Sequence, residues 1–253
     1  MRIVFGDDRS QGADIGWLWI GEQRWPGWRL DVVTVPETEL GPPHPGGSTT
    51  LEPWTPEDPR QPIAGAGFAE VRHLTAHADP RVVLAGCATA DLLVVGATGQ
   101  GFLKRRLHLG STTEWLLHEP PAPLVIARSG RRVRRVLVGV DGSPPAQRAL
   151  AAFAGLPWAT DTEVLVIGAR DGWVEPGPAL DAADAVLDAA GITHRVEEGK
   201  GRAAEVLLRA QRREASQLVV LGARGSSRLR RAVAGATASS VARAADVSVL
   251  LAG

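Results

Sequence analysis

Glycines and hydroxyls at fixed spacing behind an apolar run are the residues of this chain best suited to chemistry. In "VVGATGQGFLKRRLHLGSTT", residues 94–113, Gly96 and Gly99 follow a run ending at Val95, and Gly110 and Ser111 stand beside Thr112 and Thr113. Glycine can take φ > 0 and lets backbone N–H groups close on an anion. The following "TTEWLLHE" reads as a helix whose first-turn amides and dipole favour phosphate, with Ser111 and Thr113 adding hydroxyl donors. A plain strand-to-helix turn with a serine cap would use the same residues. A damaged copy, "GARGSSRLRRAVAGATASS", occupies residues 222–240.

Two further residues belong with the glycines if the strands lie side by side. Asp7 directly follows the first apolar run and Val35 ends the second. In a doubly wound sheet ligands bind beyond the carboxyl ends of the strands, where strand order reverses. There Asp7 could accept from a ribose hydroxyl or base amine, or merely cap a helix, and Val35 could face a purine.

The elements that must hold these residues come in two sets. "DLLVVGATG" at 91–99 matches "QLVVLGARG" at 217–225 with an offset of 126 residues, "RIVFGDDRS" at 2–10 parallels "RVLVGVDGS" at 135–143, and "PLVIA" at 123–127 parallels "SVLLA" at 248–252. Three landmarks in one order indicate a tandem duplication, with units at 1–129 and 130–253 joined near the basic "RSGRRVRR" of 128–135. In the second unit short β-rich runs alternate with helical patterns, which predicts an α/β fold of two tandem doubly wound domains, each with a mainly parallel five-stranded sheet flanked by helices. The first unit is less regular. Its first helical region is rich in Gly and Trp, and the prolines of 36–65 predict a long irregular loop that replaces or shortens a helix, either a lid or interaction segment or a merely disordered stretch.

Composition excludes several classes. The 253 residues carry no net charge, 44% are hydrophobic, and Cys87 is the one cysteine, which rules out an intrachain disulfide or a cysteine-based zinc cage and favours a cytoplasmic protein. No apolar run approaches the roughly 20 residues of a membrane span. Residues 1–129 hold 11 basic and 15 acidic residues against 17 and 13 in 130–253, but the arginines are scattered and argue against nucleic acid. His73 and His77 would suit a metal only on a helix, and their segment alternates like a strand, so no metal is expected. Lys104, Arg105 and Arg106 could screen a triphosphate or sit on a solvated loop. Cys87 reads as core, and Trp17, Trp19, Trp25, Trp28 and Trp54 as core or a sticky interface. Neither a P-loop nor a G-x-S-x-G elbow occurs, and no acid–base pair suggests turnover.

The order "VGVDGS", then "LVVLGARG" with nine residues to "GA", then "SVLL", together with its N-terminal counterpart, resembles the universal stress protein family in tandem form, over nearly the whole chain. The resemblance implies a stress-response protein that binds ATP or AMP, with Mg only as companion of the nucleotide, senses or sequesters it, and is not an enzyme. Its ATP-binding members carry G-x-x-G, nine residues, then G-[ST]. Transferred by position, the first copy offers Asp7, Val35, Gly96, Gly99, Gly110, Ser111 and Thr113, but ten residues separate Gly99 from Gly110, an excess that Gly101 could absorb. The second copy keeps Asp141, Gly222, Gly225 and Gly235 at the nine-residue spacing, and has Ala236 and Ala238 in place of hydroxyls, so it reads as degenerate. An interaction module of the same fold without nucleotide is the alternative. A pyrophosphatase of a related superfamily would need a Ser-Gly-Gly-rich loop that "GDDRSQG" lacks. The family's habit of pairing fifth strands predicts that Leu124–Ala127 meets Val249–Leu251 within the chain as a pseudo-dimer, with a homodimer through a Trp-rich face as a further option.

Overall fold

The computed structural model describes residues 1–35, 48–55, 65–99, 109–170, 175–223 and 236–253. The first copy contributes β1 (Arg2–Gly6), α1 (Gln11–Glu22), β2 (Arg29–Thr34), β3 (Ser48–Pro53), β4 (Glu70–His77), α2 (Pro80–Ala85), β5 (Leu92–Gly96), α3 (Ser111–His118) and β6 (Leu124–Ala127). The second contributes β7 (Arg135–Val140), α4 (Pro144–Ala154), β8 (Glu163–Arg170), α5 (Gly177–Ala189), β9 (His194–Lys200), α6 (Ala203–Glu214), β10 (Leu218–Gly222), α7 (Ala236–Ala244) and β11 (Ser248–Ala252).

All the strands join one sheet in the order β3-β4-β2-β1-β5-β6-β11-β10-β7-β8-β9. Pairing is parallel except at two places. One is the junction of the copies, where β6 meets β11 antiparallel with Leu124 opposite Leu251 and Ile126 opposite Val249. These apolar strands, fully buried across Leu124–Ala127, would otherwise be exposed edges. The other is β3, antiparallel to β4 at the sheet margin. It corrects the expectation of an irregular loop over 36–65 at residues 48–53, where "STTLEP" forms a largely exposed edge strand. Pro53 is tolerated because one side of an edge strand's backbone needs no partner. Residues 36–47 and 56–64 lie outside the described residues. Among its described residues the first copy therefore has six strands rather than five.

Helices cover both faces. On one, α1, α4 and α5 bury Ile20, Phe153 and Leu187; on the other, α2, α3, α6 and α7 bury Leu84, Leu116, Leu207 and Val241. Trp17, Trp19, Trp25 and Trp28 are all core residues, which removes them from any surface interface. Trp158 of the second copy packs edge-on against Trp19 and Trp25 at ring separations of 6.1 and 6.0 Å, so the aromatic cluster ties the copies together. The basic connector is pinned as well: buried Gln23 accepts from the Val133 amide at 3.2 Å and donates to the Arg131 carbonyl at 3.4 Å.

Candidate functional site

Parallel register brings the carboxyl ends of β1, β2 and β5 together, with Gly6 beside both Val33 and Val95. Beyond them opens a cleft of ≈ 350 Å³. Asp7, Val35, Gly96, Gly99, Gly110, Ser111 and Thr113 all line it, together with Gly6, Asp8, Val33, Pro80, Leu84, Val95, Thr98 and Thr112. The seven residues chosen from sequence are thus brought to one place. Ten-residue spacing, Gly101 and the basic Lys104–Arg106 run fall on 100–108, outside the described residues.

Glycine serves this turn by its size, not by a left-handed backbone. Among the described residues the positive-φ glycines do not include Gly96 or Gly99, which corrects the expectation of φ > 0 there. A Cβ on Gly96 would lie 2.4 Å from the Gly12 carbonyl carbon, and one on Gly12 only 1.8 Å from the Thr98 oxygen. The end of β5 is pressed against the start of α1, and only glycines let the two backbones approach so closely. A Cβ on Gly99 would meet one side-chain oxygen, Asp8 Oδ2, at 2.8 Å. The Gly110 amide donates to the Ala97 carbonyl at 2.8 Å, closing the turn, and Gly110 is the N-cap of α3. It makes no side-chain cap, so the first-turn amides of α3 lie at the cleft without the internal acceptor a serine or aspartate would supply.

The two aspartates after β1 divide by strand alternation. Ile3 and Phe5 point into the core under α1 and Val4 into the opposite core, so Asp7 continues the α1 side and Asp8 the side of the cleft. Accordingly buried Asp7 accepts from Trp17 Nε1 at 2.9 Å and from the Arg9 amide at 2.8 Å. Asp7 therefore lines the cleft with its carboxylate already held by Trp17, and it is not the helix cap: the cap of α1 is Ser10, which accepts from the Ala13 amide at 3.2 Å. Asp8 is exposed at the cleft and accepts from the Ser10 amide at 3.0 Å.

The second copy confirms this alignment, for Asp141 accepts from the Ser143 amide at 3.0 Å and Ser143 caps α4. Arg9 and Gly142 occupy the same left-handed position, with φ of 59° and 74°. Asp8, not Asp7, is therefore the counterpart of Asp141. The signal was in the sequence: aligning "GDDRS" with "GVDGS" on glycine and serine pairs Asp8 with Asp141.

Thr113 also changes role. It is buried and its Oγ1 donates to the Gly96 carbonyl at 2.7 Å, which fixes α3 to the end of β5 and leaves only acceptor capacity toward the cleft. Ser111 is exposed in the first turn, and Val35, with Val33, Leu84 and Pro80, forms an apolar wall.

In the second copy Gly222 repeats the packing of Gly96, since a Cβ there would lie 2.5 Å from the Ala146 nitrogen. Gly225 and Gly235 lie outside the described residues. Ala236 and Ala238 open α7 where Ser111 and Thr113 open α3, so the tie from the helix to the strand end is missing. Elsewhere, His73 and His77 share one face of β4 but stand about 13 Å apart along an extended strand, too far for one metal. Burial lowers the pKa of His73, against an opposing pull from Asp7. Cys87 is buried beneath α2, and its thiol reaches the Val83 carbonyl. No helix among the described residues is long and apolar enough to cross a membrane.

A parallel sheet wound on both faces, with a glycine-lined cleft at its carboxyl ends, places the chain among the doubly wound α/β proteins. The universal stress protein family matches residues 1–128 and 168–253, and the chain belongs to that family. Universal stress protein Slr1230 of Synechocystis sp. is 31% identical over 163 residues, covering 63% of this chain and 57% of that protein, so the chain spans little more than half of its length. A universal stress protein from Archaeoglobus fulgidus is similar over 99% of this chain and 97% of its own at 21% identity, with a TM-score of 0.74. A functionally unknown protein from Pseudomonas aeruginosa is similar over 99% of this chain and 92% of its own at 14% identity, with a TM-score of 0.59. Both likenesses are ones of fold.

Proposed function

We propose that this universal stress protein binds one adenine nucleotide, ATP or AMP, in the cleft of its first copy and acts in a stress response by sensing or sequestering it. One observation carries the reading: a single cleft of ≈ 350 Å³ has an apolar wall of Val33, Val35, Leu84 and Pro80 and a polar wall of Gly99, Gly110, Ser111 and the uncapped start of α3. That division suits a ligand with an apolar base and a charged phosphate chain. The phosphates would lie on the amides and on Ser111, Asp8 would accept from a ribose hydroxyl or base amine, and Mg would enter only with the nucleotide.

Binding without dedicated turnover follows from the same lining. Its titratable groups among the described residues are Asp7 and Asp8, and both hold amides of their own loop. At position 236 the second copy lacks the hydroxyl that Ser111 offers, and a hydrogen bond to a charged group contributes roughly 1.5–3 kcal/mol; at 238 it lacks the tie that Thr113 makes to the end of β5. Tight binding is expected at one site per chain.

Mass spectrometry of the purified protein and calorimetry with ATP test this. One nucleotide per chain is expected, with several-fold to complete loss in Gly99→Val, whose methyls would displace Asp8 and crowd the phosphates. Equal affinity in that variant, or two equal sites, would refute the proposal. Failure of the wild type to bind any adenine nucleotide would favour an interaction module of the same fold.

A further inference from the structure

We propose that the second copy completes the anion site of the first: Arg243, on α7, neutralises Glu114 in the first turn of α3 and so keeps that helix start attractive to a polyanion. The inference rests on the nucleotide reading above and names a residue that acts on the site from the other copy. Glu114 is the acidic residue of the first turn of α3, three positions after Ser111. A carboxylate there interacts favourably with the helix dipole itself and repels a second anion at the same helix end. Left alone, it would oppose the phosphates that the uncapped amides invite.

It is not left alone. Both Glu114 oxygens are bound by Arg243, Oε2 from Nε at 3.3 Å and Oε1 from the terminal nitrogen by a short contact. This forked pairing is the guanidinium geometry suited to a carboxylate. The same contact raises the pKa of Arg243 above its ordinary value, against the smaller effect of burial. His118, one turn along α3, lies 3.8 Å from Glu114 Oε1 and is a weaker second partner. The end of α7 is held in place independently, because Arg128 of the first copy donates to the Ala242 carbonyl at 2.7 Å.

The arrangement is one-sided. Matching α3 to α7 places Ser239 opposite Glu114 and His118 opposite Arg243, so the reciprocal bridge has no carboxylate, and α7 has no acidic residue in its first turn. An acidic residue and its distant arginine occur together, and only at the copy whose helix start keeps its serine.

Calorimetry with ATP and with inorganic tripolyphosphate tests the inference on the full chain. At low salt Arg243→Ala is expected to bind both probes roughly fivefold to twentyfold more weakly, the repulsion of one bare carboxylate. The deficit should shrink at about 0.5 M salt, where exposed charges are screened. Glu114→Gln is expected to bind as tightly as wild type or more so, and the double variant to return to near wild-type affinity. Thermal melts establish that each variant is folded. Wild-type affinity in Arg243→Ala would overturn the inference, as would a double variant as weak as Arg243→Ala, which would make the arginine a mere buttress of α3. A wild type that binds neither probe would overturn the nucleotide reading and this inference together; a wild type that binds while Arg243→Ala is unaffected overturns only the latter.

Discussion

Asp7 and Asp8 are adjacent and chemically identical, yet their places on the strand give them opposite duties. Asp7 is buried against Trp17, so Asp7→Ala strands the indole N–H and is expected to destabilise the protein by about 1.5–3 kcal/mol, read by urea denaturation. Asp8→Asn is expected to leave that midpoint within error and to weaken ATP several-fold; the reverse ranking would restore Asp7 as the ligand. The glycines divide in the same manner. Gly96→Ala drives a methyl into the backbone of α1, at 2.4 Å, and neither backbone can yield cheaply, so little soluble protein is expected. Among the described residues Gly99→Val meets only the end of the Asp8 side chain and should fold, which makes it the informative binding variant. Comparable yield and melting temperature for Gly96→Ala and wild type would contradict the packing account.

Among the elements, β9 carries the clearest pH dependence. His194 Nδ1 lies 2.9 Å from the Ile192 carbonyl and Nε2 2.9 Å from Asp184 Oδ1. A ring with a carbonyl on one nitrogen and a carboxylate on the other is best satisfied as a double donor, the imidazolium. Burial, the largest single influence, pulls its pKa down, but these two partners outweigh it and the net shift is upward from 6.5. Because the folded value exceeds the unfolded one, the stability it contributes is complete below about pH 6.5 and is lost as pH rises through the folded pKa. Asp184→Asn is expected to flatten that decline in a series of denaturation midpoints from acid to mildly alkaline pH. An unchanged slope would show that His194 does not titrate there. His73 acts with the opposite sign, since burial lowers its pKa and favours the folded state at higher pH.

At the scale of the whole molecule, the copies are joined by β6 on β11 and by Trp158 on Trp19 and Trp25. The first copy expressed alone would expose the edge of β6 and the Trp19–Trp25 surface. It is expected to aggregate, or to dimerise by pairing β6 with its twin across a twofold axis. Light scattering checks this, and a well-folded monomer would count against the junction as a stabilising interface. Separation should also weaken nucleotide binding through loss of Arg243, even where the isolated copy folds.

Much of this was legible beforehand because it is local. Apolar runs of four to six residues, the prolines opening α4 and the glycine turns read directly as strands, helix starts and connections, and duplicated landmarks at 2–10 and 135–143 implied a repeated unit. Spacing picked out the five residues of the glycine turn and the strand ends added Asp7 and Val35, and all seven line one cleft because parallel strands deliver their carboxyl ends to the same side. Tertiary structure decided what depends on neighbours distant in sequence. Which aspartate is buried on Trp17 and which is exposed depends on the phase of β1 between two cores. Why Gly96 is glycine depends on the backbone of α1, and what Thr113 bonds depends on the end of β5. The edge strand β3 and the Glu114–Arg243 bridge, 129 residues apart along the chain, exist only once the sheet has formed, because neither has a local partner to announce it.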